Sequence, residues 1–254
     1  MSSLASFFDD WIDLAFTFVA LTVAYAIFGI AGFGSALIAA PLLVHKLPLT
    51  SVVPLLTLLD FSAASINGFN LRANVARREL LWLLPFMIVG SVVGITLLMT
   101  LPGQLLIFLL GLFVLSYGLR GLFVGSDSPG KLGFGWVCPF GLVGGLVSGM
   151  FGSGGFIYSI FLSRRLEEKD AIRATQSVLI GLSTLTRLTI FAVAGVYNDL
   201  NLLLLALCGL PALLLGLYVG QLLTKRLSLP QFIRVLYFIL VATGLTLIWR
   251  AAAG

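Results

Sequence analysis

Gly29-Ile30-Ala31-Gly32-Phe33-Gly34-Ser35 and, 120 positions later, Gly149-Met150-Phe151-Gly152-Ser153-Gly154-Gly155 interrupt a chain that is otherwise almost continuously apolar. Each follows one hydrophobic stretch and precedes a short one. Glycine is unfavourable inside a helix, and at membrane depth every backbone group that a break frees still needs a partner. Irregular backbone persists there only where protein buries it or a cavity accepts it. A pair of such breaks at corresponding places in two halves is the sequence mark of a transporter's binding site.

The surrounding composition places these breaks in a membrane. The 254 residues are 59% hydrophobic and 10% charged, with mean hydropathy +1.12. Soluble domains carry about 25% charged residues. Unbroken apolar runs such as Leu80 to Met99 exclude a β-barrel, whose strands alternate. The chain therefore reads as an all-α polytopic membrane protein. No Lys or Arg precedes Lys46, so the first apolar stretch is expected to stay as a span rather than serve as a cleaved signal. Cys138 and Cys208 lie in apolar stretches and read as small buried residues rather than a disulfide or metal pair. No P-loop, zinc spacing or nucleotide fingerprint is present, and His45 stands alone. The reading is of no enzyme, no cofactor, no metal site and no nucleic-acid partner.

Ten apolar segments are expected, at 11–28, 35–47, 49–69, 80–99 and 103–124, then 136–151, 155–166, 170–196, 200–222 and 231–250. Segments 35–47 and 155–166 fall short of the roughly 20 residues that cross a bilayer. They read as half-helices starting inside the membrane, or as the second arms of re-entrant hairpins. The two halves resemble each other. At an offset of 120, Gly29, Gly32 and Gly34 fall on Gly149, Gly152 and Gly154. At an offset of 126, Pro85, Gly90, Gly94, Leu101 and Gly118 fall on Pro211, Gly216, Gly220, Leu227 and Gly244. The organisation expected is a first membrane repeat over 1–124, a cytoplasmic linker over 125–135 and a second repeat over 136–254, within a single membrane domain.

Five segments per half is an odd number, so the repeats are expected to be inverted. Charge tests this. One side receives 12 of the 15 basic residues: Arg72, Arg77, Arg78, Arg120, Lys131, Arg164, Arg165, Lys169, Arg173, Lys225, Arg226 and Arg234. The other receives Lys46 and Arg250 with Asp9, Asp10, Asp13 and Asp199. The positive-inside rule makes the first side cytoplasmic and puts both termini outside, in a multi-pass bacterial inner-membrane protein.

Few residues in the spans can carry chemistry. Arg187 lies in 170–196. An arginine there costs several kcal/mol (roughly 2.5–3.5 on insertion scales) and usually faces a cavity or a partner. Its guanidinium fork suits an oxyanion; a snorkelling side chain or an ion pair with Asp60 are the rival readings. At the 120 offset Arg187 matches Asn67. Asp60, an acid well inside a span, is either a proton-coupling site or the counter-ion of Arg187. Half-helices beginning at Ser35 and Gly155 would point free N–H groups, each end worth about half a positive charge, toward the midplane. Gly141, Gly144, Gly145 and Gly149 read as packing glycines. Among Thr57, Ser62, Ser65, Gln176, Ser177, Ser183, Thr184 and Thr186, the amide of Gln176 is the costliest to bury. The candidate substrate site is therefore Gly32, Gly34, Ser35, Asn67, Gly152, Ser153, Gly154, Gly155, Gln176 and Arg187, with Asp60 as the coupling candidate.

Gly32-Phe33-Gly34-Ser35-Ala36-Leu37-Ile38-Ala39-Ala40-Pro41-Leu42-Leu43 resembles the first signature of the sulfite exporter TauE/SafE family, also called the toluene sulfonate uptake permease family. Gly149 to Gly155 resembles its second-half counterpart. The second motif continues Phe156-Ile157-Tyr158-Ser159-Ile160-Phe161, without the proline that many members place to match Pro41. The resemblance covers nearly the whole chain. It implies a secondary transporter of small sulfur-containing anions of the sulfite, sulfonate or sulfoacetate class. Export by alternating access is the leading expectation, with protons as a candidate coupling ion. Uptake of an organic sulfonate or carboxylate, an anion channel and a non-transporting scaffold are the alternatives. Arg187, Asp60 and two breaks at depth argue against a scaffold, since each costs stability without returning any.

Overall fold

The computed structural model describes residues 11–31, 34–67, 75–123, 132–224 and 229–253. Among them are ten α-helices, one for each apolar segment, and no strand. They are α1 (Trp11–Ala31), α2 (Ser35–Leu43), α3 (Leu49–Asn67), α4 (Arg77–Thr100), α5 (Gly103–Phe123), α6 (Val137–Phe151), α7 (Gly155–Ser163), α8 (Lys169–Val193), α9 (Leu200–Thr224) and α10 (Leu229–Ala253). Seven of them are long and apolar enough to cross a membrane. The exceptions are α2 and α7, with nine residues each, and α10, whose described apolar stretch is Tyr237–Ala252. Nine residues rise about 13 Å, under half of a hydrocarbon core.

The helices pair in a pattern unchanged by exchanging the two halves. α1 packs along α9, α6 along α4, α5 along α10, and α3 against α8. Small residues make these seams. A Cβ on Gly220 would stand 3.1 Å from the Cα of Gly29, and one on Gly94 would stand 3.1 Å from the Cα of Gly149. Gly29 and Gly149 belong to the 120-offset set, Gly94 and Gly220 to the 126-offset set. The two offsets read from the sequence are thus the two sides of each seam. Added Cβ atoms at Gly90 and Gly145 would likewise run into the Leu142 and Met87 carbonyls. In lipid no hydrophobic force drives helices together, so close backbone approach and van der Waals contact hold such pairs. α4 shows the consequence. Leu83, Met87, Gly90, Ser91, Gly94 and Leu98 face inward, while Leu81, Val89, Val92 and Met99 are exposed. A surface this apolar fits acyl chains.

α7 folds back on α6. Its Tyr158 ring covers Gly144, and a Cβ on Gly154 would strike the Gly144 carbonyl. Residue 154 therefore lies beside a position seven residues before the end of α6, which is the hairpin arrangement. At one end of the bundle Arg165 pairs with Glu79 at 2.8 Å and donates to the Leu132 carbonyl. At the other, Lys46 pairs with Asp13 at 2.6 Å, and Arg250 approaches His45 and the Val44 carbonyl, each at 3.2 Å. These two clusters keep to the two sides that the charge count separates. Cys138 and Cys208 are both free, but neither is buried: Cys208 is exposed on α9 and Cys138 half-buried. An apolar stretch in a membrane does not distinguish a core-facing from a lipid-facing position, which is why burial could not be read there.

Candidate functional site

The two breaks meet. Gly34, at φ +96°, precedes α2, and Gly152, at φ +76°, ends α6, with its N–H bonded to the Ser148 carbonyl. Both conformations lie in the left-handed region that glycine occupies without strain. A Cβ on Gly152 would stand 2.9 Å from the Ala36 Cβ and 2.9 Å from Arg187 Nη1. The bare backbone at 152 leaves room for both the guanidinium and the first turn of α2. Neither N-cap residue, Gly34 of α2 or Gly154 of α7, has a side chain to cap its helix, and in α7 the Ile157 N–H turns back to the Gly154 carbonyl at 3.1 Å.

Arg187 is 1% exposed and Asp60 4%. Arg187 Nη2 lies 3.5 Å from Asp60 Oδ2 and donates to the Thr184 hydroxyl at 3.1 Å. Among the described residues, nothing accepts a hydrogen bond from the buried Arg187 Nε and Nη1. Asp60 Oδ1 accepts from the Tyr25 hydroxyl at 2.9 Å and from the Ser35 hydroxyl at 2.7 Å. Four helices thus converge on one charged pair: α1 through Tyr25, α2 through Ser35, α3 through Asp60 and α8 through Arg187. A buried guanidinium with unused donors is costly unless something else accepts from it.

The other expected site residues divide. Gln176 is buried and donates to the Gly155 carbonyl at 3.4 Å. It shares a face of α8 with Arg187 but stands about 16 Å away along the helix, so one small anion does not touch both. Ser153 is buried, and its hydroxyl reaches only the Phe151 carbonyl, at 3.4 Å. Gly154 has a packing reason, its contact with Gly144, rather than closeness to the charged pair. Gly32 and the Asn67 side chain lie outside the described residues; Asn67 is placed as the last residue of α3.

Two groups at the centre were not singled out from the sequence. Tyr25 sits among Ala24, Ala26 and Ile27, and a phenol far from either end of an apolar helix is a signal that could have found it. Ser148 pairs with Ser183 at 2.7 Å, joining α6 to α8. Thr57, Ser62, Ser65 and Thr186 bond back to carbonyls four residues earlier, as such residues in membrane helices usually do. Ser183 and Thr184 do not. With Gln176 and Arg187 they form a buried polar stripe down α8.

No solved structure matches the chain. The probable inner membrane transporter protein TsaS of Comamonas testosteroni is 32% identical over 202 residues, covering 77% of this chain and 83% of that relative. The pattern of the sulfite exporter TauE/SafE family matches residues 17–247, a span holding both breaks, Asp60, Arg187 and every seam glycine described above. The chain belongs to the sulfite exporter TauE/SafE family and is a multi-pass membrane transporter.

Proposed function

We propose that this protein is a secondary transporter that exports a small sulfur-containing anion, sulfite or an organosulfonate, across the inner membrane by alternating access. The observation that carries this reading is Arg187. It is a buried cation at the meeting of the two breaks, and its Nε and Nη1 have no partner among the described residues. A sulfo group has three oxygens on one centre and suits those donors together with the uncapped first turn of α2. Gly34 and Gly152 give the anion access to backbone. Gln176, further along α8, and the Gly155 carbonyl it bonds at the start of α7 line its route toward the Arg165 end. The family and the relative's name support anion transport at an inner membrane.

Residues 1–124 and 136–254 are the two inverted repeats, joined by 125–135, and they rock against each other about the site. The exchange-invariant helix pairing and the matched glycine seams support this. The test is purified protein, screened for thermal stabilisation by sulfite, sulfoacetate, taurine, sulfate and small carboxylates, then reconstituted for flux. Ligand at a hundred times its dissociation constant stabilises by about 2.7 kcal/mol. Saturable uptake of sulfite or a sulfonate is expected. Stabilisation by carboxylates alone would remove the sulfur-anion assignment, and unsaturable current would make the protein a channel.

A further inference from the structure

The carboxyl of Asp60 is held in place whether or not Arg187 is beside it. Oδ1 has two hydroxyl donors of its own, Tyr25 from α1 and Ser35 from α2. Oδ2 faces Arg187 Nη2 at 3.5 Å, longer than an optimal charge-assisted hydrogen bond of about 2.7–2.9 Å. On the other side of the pair, Arg187 Nε and Nη1 are buried and have no partner among the described residues, with Nη1 against Gly152. Asp60 therefore has other donors to hold it, while Arg187 has donors to spare for a second acceptor.

The charge balance of the site constrains how an anion can enter it. Arg187 and Asp60 together are neutral. Adding a monoanion leaves one net negative charge in a site sealed from water, and such a charge is strongly disfavoured there. A proton on Asp60 restores neutrality and removes the competitor for the guanidinium. We infer that Asp60 is the binding site of a co-transported proton: the substrate anion and the Asp60 carboxylate compete for Arg187, and each monoanion enters with one proton. The proton comes from the aqueous phase and forms an O–H bond at Oδ2, while Oδ1 keeps both hydroxyl donors. Both ligands leave on the opposite side, and the Arg187–Asp60 pair closes again. This rests on the reading of Arg187 as the anion's ligand.

Few groups can share this role. Arg187 on α8 and Tyr25 on α1 are the charged and titratable groups that act on Asp60, and α2 adds only the Ser35 hydroxyl. Tyr158 on α7 and Tyr197, whose hydroxyl reaches the Pro54 carbonyl, lie within electrostatic reach of Arg187. On α9, Cys208 and Tyr218 are exposed. On α4, Arg77 and Arg78 are exposed at the helix start, and Glu79 pairs with Arg165. On α5, Tyr117 packs against Phe156 and Tyr237, and Arg120 is exposed. The single histidine, His45, lies in the turn between α2 and α3 beside Arg250.

Titration calorimetry with methanesulfonate, a monoanion that does not itself titrate near neutrality, counts the protons. Binding heats at neutral pH in two buffers of different protonation enthalpy are expected to show about one proton taken up per anion by the wild-type protein. Its affinity should fall about tenfold for each unit rise in pH above neutrality, the slope of one linked proton. Asp60→Asn, which mimics the protonated acid, should bind methanesulfonate with no proton uptake and no such slope. Binding by the wild type without proton uptake, or unchanged uptake in Asp60→Asn, overturns the coupling and leaves the anion site standing. The wild-type count and slope decide the question even if the variant does not fold. Failure of methanesulfonate, sulfite and sulfoacetate alike to bind the folded wild-type protein removes the anion reading itself, and the coupling with it.

Discussion

Arg187 and Asp60 concentrate the chemistry of this molecule, and their closeness makes the simplest mutation ambiguous. Arg187→Ala removes the proposed anion ligand and also strands a buried carboxylate, which in soluble proteins costs about 3–5 kcal/mol. The pair has to be dissected as a double-mutant cycle. Arg187→Ala alone is expected to lower thermal stability and abolish transport. Adding Asp60→Asn should recover most of the stability, because a neutral amide still accepts from Tyr25 and Ser35, but should not recover transport. A double variant moving substrate at the wild-type rate would reduce Arg187 to a structural ion-pair partner. Arg187→Lys, which keeps the charge but loses the planar fork, should fold and bind more weakly. Glycines at the breaks also divide at this scale. Gly152 borders the guanidinium, whereas Gly154 is needed by the α6–α7 contact. Loss of transport in Gly154→Leu would therefore report packing and not anion approach.

At the scale of the element, the seams carry the stability and α8 carries the polarity. Gly94 and Gly220 occupy equivalent places in the α4–α6 and α9–α1 seams, each facing a glycine of the other helix. A valine at either position has to push apart two backbones in contact along their length, and overpacking in close-packed interiors costs about 1–3 kcal/mol. Gly94→Val and Gly220→Val are expected to lower the melting temperature by similar amounts in detergent, whereas Gly103→Val, where an added Cβ meets nothing within 4 Å, should leave it unchanged. Unequal losses at 94 and 220 would deny the two seams equivalent roles. One side of one seam is legible in the sequence, where Gly141, Gly145 and Gly149 read as packing glycines and do line α6 against α4; Gly90, Gly94, Gly216 and Gly220 stand out there only as matched positions of a repeat. The face of α8 was less legible. Gln176, Ser183, Thr184 and Arg187 were each visible as polar, but their common burial became apparent only with α3, α6 and α7 packed around them.

For the whole molecule, the open question is which end faces the cytoplasm. Glu79, Leu132 and Arg165 cluster at one end and Asp13, Lys46, His45 and Arg250 at the other. The excess of Arg and Lys on the first side predicts that it is cytoplasmic. With both native cysteines replaced by serine, Glu168→Cys in intact cells should resist a membrane-impermeant thiol reagent, and Thr50→Cys, exposed at the start of α3, should react. The reverse pattern would invert the orientation and with it the proposed direction of export. Asn74, the companion position for this test in the segment 70–79, lies outside the described residues.

Hydropathy and glycine placement are enough to establish the class, the ten helices and the two interruptions. Each is local: hydropathy over a window of about 20 residues, and glycine where a helix must stop. The sequence also marked Gly141, Gly144, Gly145 and Gly149 as packing glycines, since a residue with no side chain suits a close neighbour. It took the packed helices to reveal that Asp60 faces Arg187 across α3 and α8, and that Tyr25 and Ser35 hold the carboxyl from a second side. The tertiary structure also separated Gly152, at the site, from Gly154, in the packing, and put Gln176 about three turns from the charge it was grouped with. The physical reason is that lipid and protein core are equally apolar. In a soluble protein the polar face of a helix announces which way it points; in a bilayer both faces look alike, and long-range contacts decide which polar groups meet.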